Sequence, residues 1–186
     1  STDSTAVLIK KMSKRFRNLR LYKLSPRRES IGRKPESIAL AVSVAKGEII
    51  LTTDADCKVP KTWLKAMTKG FDENVMFQAG PVVEVQTGSF LNEVESLEFM
   101  SLIVTGAGLI GAGRPIICNG ANLAYRKSAF NAVQGFEGTA SSNDDETLMQ
   151  RIFNRNLGKV GFVADPEAVV RTVSNNNIWS FFKQRL

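Results

Sequence analysis

Two short runs of acids carry most of the chemistry open to this sequence. The first is Thr52-Thr53-Asp54-Ala55-Asp56, where the apolar run Ile49-Ile50-Leu51 ends abruptly in two aspartates. Residues two apart on an extended backbone point to the same side, so the carboxylates of Asp54 and Asp56 are expected to converge on one point. Hard divalent cations take such oxygen ligands, and Mg2+ often uses one or two carboxylates together with substrate phosphates. If Ile49–Thr53 is a buried strand of an open α/β sheet, the pair lies where ligands of such sheets bind, beyond the carboxyl ends of the strands. A polar turn before the next helix also accounts for the bare pattern, and the strand context favours the site.

The second run is Asp144-Asp145-Glu146, ahead of an amphipathic stretch and behind Ser141-Ser142-Asn143. Acids at a helix start face unpaired amides and the positive end of the dipole, so capping alone explains them. The chain, however, contains no histidine. That absence removes imidazole acid/base chemistry, Ser-His and Cys-His nucleophile pairs and imidazole zinc sites, and leaves proton transfer to carboxylates.

Three other segments bear on function. Leu102-Ile103-Val104-Thr105 followed by Gly106-Ala107-Gly108-Leu109-Ile110-Gly111 matches the G-x-G-x-x-G pattern of a dinucleotide-binding turn. Gly113 and Arg114-Pro115 interrupt the helix that should follow, and no acid comes before Glu137, too late for the ribose contact expected ~20 residues on. A glycine-rich packing helix is the better reading. Ile117-Cys118-Asn119-Gly120-Ala121-Asn122-Leu123-Ala124-Tyr125-Arg126 reads as a strand, a polar turn and a second strand. Trp179 to Leu186 is aromatic and basic together, and reads equally as a packed terminal helix or the edge of a site.

The elements that must position these groups alternate. Helical spacing is expected from the first residues to about Arg17, over Ser37–Lys46, from Pro60 through Phe71, from Phe90 onward, and over Asp145–Leu157 with Leu148, Met149, Ile152 and Phe153 inward. Strands are expected at Leu19–Leu24, Glu48–Thr53, Met76–Ala79, Val82–Gln86, Ile116–Cys118, Leu123–Tyr125, Val160–Val163 and Ala168–Arg171. With no repeat or linker, this is an α/β chain of one domain, residues 1–186. Its 43% apolar content can furnish a core, which excludes whole-chain disorder.

The charge is unevenly spread. Eleven of the 25 Lys and Arg lie in the first 34 residues against only Asp3 and Glu29, so the net +7 is an N-terminal property. Such a segment can meet nucleic acid, anionic headgroups or a diphosphate, or be a solvated helix face. Cys57 and Cys118 form no C-x-x-C pair, which fits a reducing compartment. The uncharged run Phe99–Gly113 falls short of the ~20 residues that span a bilayer, so neither a transmembrane helix nor a signal peptide is expected.

Taken in order, these pieces resemble the family 2 glycosyltransferases. Gly32 to Glu48 is similar to that family's G-K-rich segment before the metal strand, and Thr53-Asp54-Ala55-Asp56 to its T-D-A-D form of the D-x-D motif. Gly120-Ala121-Asn122-Leu123-Ala124-Tyr125-Arg126 resembles its G-x-N-x-x-x-R segment. Phe130–Phe136 followed by Asp144-Asp145 resembles its F-x-x-x-G-G-F and E-D-x-x-L stretch, with Gln134 in place of the first glycine and Asp144 in place of glutamate.

The resemblance implies a GT-A fold, with a mixed, mainly parallel sheet flanked by helices and lacking the family's first strand. It implies inverting transfer of a sugar from a nucleoside-diphosphate donor, a UDP-sugar first among them, to a hydroxyl of a saccharide or lipid-linked acceptor. Carried over residue by residue, Asp145 is the base, and Asp56 with Asp54 holds Mg2+ or Mn2+. Asp54, Arg33 and Lys34 face the donor, while Gly120, Asn122, Asp144, Gln184 and Arg185 lie on the acceptor side. No nucleic acid is implied as a partner.

Gln184-Arg185-Leu186 resembles the start of the Q-x-x-R-W motif of membrane-linked members, and Ser1-Thr2-Asp3 the tail of a D-D-x-S-type turn. The expectation is therefore a domain truncated at both ends with weak or undetectable turnover. The parent protein is expected to be cytoplasmic, at the cytoplasmic face of a membrane. The rival readings are a metal-dependent nucleotidyltransferase and, outside enzymes, a basic nucleic-acid-binding module, for which no aromatic-basic motif is present.

Overall fold

The computed structural model describes residues 4–24, 34–85, 90–137 and 144–173, and the chain forms two compact units, Ser1–Ala45 and Lys46–Leu186. The first unit holds α1 (Thr5–Ser13) and α2 (Lys34–Val44). α1 ends four residues before Arg17, and its apolar residues Val7, Leu8 and Met12 are exposed. Leu19–Leu24, expected as a strand from its alternation, carries no regular structure. A strand needs a hydrogen-bonding neighbour, and among the described residues this unit has no other strand to pair with.

The second unit is built on β1 (Ile49–Thr52), β2 (Val75–Ala79), β4 (Leu123–Arg126) and β5 (Lys159–Phe162), hydrogen-bonded in the order β1-β4-β2-β5. β4 runs antiparallel to both of its neighbours and β2 parallel to β5, so three of the four strands point the same way and β4 is reversed. The expected mixed, mainly parallel sheet is thus present. A smaller parallel pair joins β3 (Val82–Val85) to β6 (Val170–Val173). The helices are α3 (Trp63–Thr68), α4 (Phe90–Gly111), α5 (Lys127–Ala132) and α6 (Asp144–Asn154).

Side-chain alternation gives the sheet two buried faces. One face carries Ile49, Leu51 and Ala124, packed with Trp63, Ala66 and Met67 of α3 and with Ala168 and Val170. The other carries Phe77 and Tyr125, which stack at 6.1 Å between centroids, and Tyr125 stacks on Phe130 of α5 at 5.6 Å. Phe130 in turn meets Phe136 edge to face. Of the residues expected to face inward on α6, Leu148, Met149 and Ile152 are fully buried, but Phe153 is 38% exposed. Three inward positions fill the narrow stripe that one helix face presents, and Phe153 lies one residue beyond it.

Asn122 ties these layers together. It is completely buried; its side-chain oxygen accepts from Trp63 Nε1 at 2.9 Å, and its amide donates to the carbonyls of Pro81 and Ala168, each at 2.8 Å. Three segments far apart in sequence are thereby fixed by one side chain. The turn after α5 also explains a departure noted in the sequence, because Gln134 and Gly135 both take positive φ, 61° and 55°. The resembling motif has two glycines at these positions, which is the residue that conformation favours.

α4 is longer than the uncharged run within it. Asn92–Gly111 is long and apolar enough to cross a membrane by length and composition, with 17% of its most apolar window buried, so the helix exceeds the length read from Phe99–Gly113 alone. Leu102–Thr105 is helical rather than a strand, so the glycine pattern after it is not a strand-to-helix turn. Gly106 serves packing: a Cβ there would lie 2.8 Å from the Ile117 carbonyl oxygen.

Candidate active site

β1 stops at Thr52, and the acids after it stand on a turn rather than on an extended backbone, closed by the Cys57 amide donating to the Asp54 carbonyl at 3.1 Å. The strand alternation from which their convergence was expected therefore does not extend to Asp54 and Asp56. Asp54 is half-buried and Asp56 exposed. Both carboxylates act on the Cys57 thiol, whose Sγ lies 3.8 Å from Asp56 Oδ1. Burial first, then the negative charges of Asp56 and Asp54, push that thiol up against a lowering hydrogen bond with Thr172. These influences disfavour the thiolate form of Cys57.

The sheet register shows where the other acids stand. Thr52 pairs with Leu123, Leu123 with Ala79, and Ala79 with Phe162, one row at the carboxyl ends of β1, β2 and β5. Asp54 and Asp56 leave from the β1 end of this row. Glu146 of α6 lines a cavity with Ala79, Gly80 and Phe162 from its other end. Asp145 precedes Glu146, is 9% exposed, and acts electrostatically on both Glu146 and Tyr125. Burial, reinforced by the charge of Asp145, pushes the Tyr125 hydroxyl well above its ordinary range and shifts the Glu146 carboxyl upward as well.

Three of the buried polar atoms without a hydrogen-bond partner stand on these same elements. They are Thr52 Oγ1 at the end of β1, the Tyr125 hydroxyl of β4 and Asp144 Oδ2 at the start of α6. Thr52 and Tyr125 lie on one sheet face, because their register partners Leu123 and Ile50 place them there. Orphaned polar atoms cost stability and are concentrated where function requires them. Tyr125→Phe removes one such hydroxyl and is expected to raise stability by about 1 kcal/mol. A loss of similar size in thermal unfolding would reveal a partner for the hydroxyl.

The remaining expected residues are placed as follows. Gly120 is in the turn before β4, beside Asn119, whose side-chain oxygen accepts from the Ala121 amide at 2.9 Å. Asn122 is committed to the scaffold by its three hydrogen bonds, so its amide does not face a ligand. Ile116–Cys118, expected as a strand, has no regular structure; Pro115 has no amide to donate to a ladder, and Ile117 and Cys118 instead line the cavity. Lys34 is the exposed first residue of α2 in the N-terminal unit. Arg33, Gln184 and Arg185 lie outside the described residues. Glu146 was missed as a cavity-lining group, since its type and position equally suit a helix cap.

Three comparisons bear on what this edge is. No curated protein matches the chain. Among solved structures it is similar to the mannosyltransferase PcManGT from Pyrobaculum calidifontis, solved in complex with GDP-Man and Mn2+, with 18% identity and a TM-score of 0.69 over 100% of this chain and 48% of that one. It is also similar to glucosyl-3-phosphoglycerate synthase from Mycobacterium tuberculosis, in complex with phosphoglyceric acid, with 13% identity and a TM-score of 0.53 over 97% of this chain and 60% of that one. The chain thus spans about half the length of these structures, and at such identities they establish the GT-A fold alone. The sequence profile of glycosyl transferase family 21, a family 2-like group, matches residues 1–186 from end to end. The chain belongs to glycosyl transferase family 21.

Proposed function

We propose that this chain is the catalytic core of an inverting glycosyltransferase that moves a sugar from a nucleoside-diphosphate donor to an acceptor hydroxyl. The observation that carries this reading is the common sheet edge that receives Asp54 and Asp56 from β1 and Asp145 with Glu146 from α6. Family membership and the GT-A fold support it.

Asp145 takes the proton from the acceptor hydroxyl as its oxygen forms a bond to the anomeric carbon on the face opposite the diphosphate. The bond from that carbon to the diphosphate oxygen breaks, and its electron pair leaves with the diphosphate. A carboxylate is ionised at neutral pH and needs no histidine to prepare it. The acid is 9% exposed and acts on the buried Tyr125, which stacks on Phe130, so it stands beside a low-dielectric aromatic cluster.

Asp54 and Asp56 offer hard oxygen donors that fit Mg2+ or Mn2+. Among the described residues no group of three His, Cys, Asp or Glu side chains could hold a metal by itself. Two carboxylates completed by substrate phosphates are a common Mg2+ arrangement, so this donor set suits an ion that arrives with the diphosphate. When bound, such an ion supplies positive charge against the leaving diphosphate. The donor base is not set by these residues; a UDP-sugar and GDP-mannose, the ligand of PcManGT, are the two to compare first.

On the acceptor side, a saccharide or lipid-linked alcohol at the cytoplasmic face of a membrane fits α4, whose Leu97 and Val104 are 69% and 64% exposed. Calorimetric titration with UDP-glucose and GDP-mannose, with and without Mn2+, tests the donor reading. Asp56→Ala is expected to weaken Mn2+-dependent donor binding at least tenfold. Equal affinity in the variant, or no nucleotide sugar bound by the native protein, contradicts it.

A further inference from the structure

Past Asp56 the chain turns basic. Residues 57–71 hold Lys58, Lys61, Lys65 and Lys69 and no acid. α3 turns Trp63, Ala66 and Met67 into the core, and its caps, Thr62 and Lys69, keep helical φ and ψ. Lys61, Leu64, Lys65 and Lys69 therefore fall on the opposite, outer face, at spacings of three and four. All four are exposed, Leu64 by 61%, and Val59 on the turn before α3 is 43% exposed. Lys58 adds a second observation. Its amide donates to the Arg171 carbonyl at 2.7 Å and its carbonyl accepts from the Arg171 amide at 2.9 Å. In such an antiparallel bridge the two side chains stand directly opposite on one face, and here both are exposed cations. Like charges so placed cost stability, and among the described residues no acid pairs with either of them, or with Lys61, Lys65 or Lys69. The patch is rigidly mounted: the Thr62 hydroxyl donates to the Glu167 carbonyl at 3.3 Å, and Trp63 is anchored on Asn122.

We infer that this face docks on an anionic membrane surface, with Lys58, Lys61, Lys65, Lys69 and Arg171 meeting the charged headgroups and Val59 and Leu64 entering between them. Each Lys or Arg close to an anionic leaflet strengthens binding roughly fivefold. The two apolar side chains decide the occupant among polyanions, because they gain nothing from a phosphate backbone and are covered by lipid. A single nucleic-acid strand also needs an aromatic face to stack on, and Trp63 is turned inward. The docking surface stands on charge and exposure and does not depend on the transferase reading. It begins two residues beyond Asp56, so docking holds the proposed donor edge close to the bilayer.

The test is co-sedimentation of the full chain with phosphatidylcholine vesicles, with and without phosphatidylserine. Binding is expected to be at least tenfold tighter when phosphatidylserine is present, and to weaken as salt rises. The quadruple variant Lys58→Gln, Lys61→Gln, Lys65→Gln and Lys69→Gln should lose about a hundredfold in affinity or more. A charge-matched control in the N-terminal unit, Lys10→Gln, Lys11→Gln, Lys14→Gln and Lys23→Gln, should lose at least tenfold less. Leu64→Ser should weaken binding severalfold with every charge in place. All these side chains are exposed, so melting temperatures are expected to stay near native. Equal affinity for the two vesicles, equal losses in the two lysine variants, or native binding by Leu64→Ser overturns the inference. So does a single-stranded oligonucleotide held more tightly than the vesicles through the same lysines. Nucleotide-sugar titration of the same sample reports on the transferase reading separately.

Discussion

Asp145→Asn is expected to bind nucleotide sugar as the native protein does and to lose transfer by roughly 10²- to 10⁴-fold, the range over which a positioned general base acts. Asparagine keeps the shape of the side chain and cannot accept the acceptor proton. The native carboxylate is buried and its charge raises the titration of both Tyr125 and Glu146, so its neutralisation relieves that repulsion while the amide keeps the side chain's shape. The melting temperature is therefore expected to hold. Activity within tenfold of native would remove Asp145 from the role of base, whereas lost donor binding would place it on the donor side.

The second large effect falls on stability. Asn122→Ala deletes the side chain that accepts from Trp63 Nε1 and donates to the carbonyls of Pro81 and Ala168. Each buried group left unpaired costs about 1–3 kcal/mol, so a loss of about 3–5 kcal/mol is expected. For a chain of this size that corresponds to a fall of roughly 10 °C in Tm. Asn122→Asp retains the acceptor for Trp63 but replaces the amide donor by a charge, and is expected to be as damaging. If either variant unfolds within 2 °C of native, the clamp carries little of the energy assigned to it.

Much of the fold is legible because its core strands are short and strongly patterned. Ile49–Thr52, Val75–Ala79 and Leu123–Arg126 lie within a residue or two of where apolar runs and turn residues place them. Where the reading failed, the local signal was real but lacked tertiary support. Leu19–Leu24 alternates without a strand to pair with among the described residues of its unit, and Ile117 and Cys118 line a cavity instead of joining a sheet. α5 was not foreseen, since six residues, Lys127–Ala132, are too few for a helical period to emerge.

The site divides in the same manner. Asp54 and Asp56 stand out by residue type and spacing, whereas Asp145 is singled out from its acidic neighbours only by the resemblance of its motif. Their common edge is not, because it depends on a register of four strands whose members are spread from Thr52 to Phe162. Asn122 was read as an acceptor-side group from its motif, and only burial with three hydrogen bonds places it in the scaffold. Glu146 differs from its two acidic neighbours by reaching the cavity, a property of the fold and not of the sequence.

Paramagnetic broadening of backbone amides by Mn2+ in the presence of GDP or UDP addresses the shared edge most directly. The account predicts that the signals of Asp54–Cys57 and of Asp144–Glu146 broaden together, while those of Arg126 and Lys159, at the far end of the sheet, persist. Broadening of the first group with Asp144–Glu146 as sharp as Arg126 and Lys159 would contradict it.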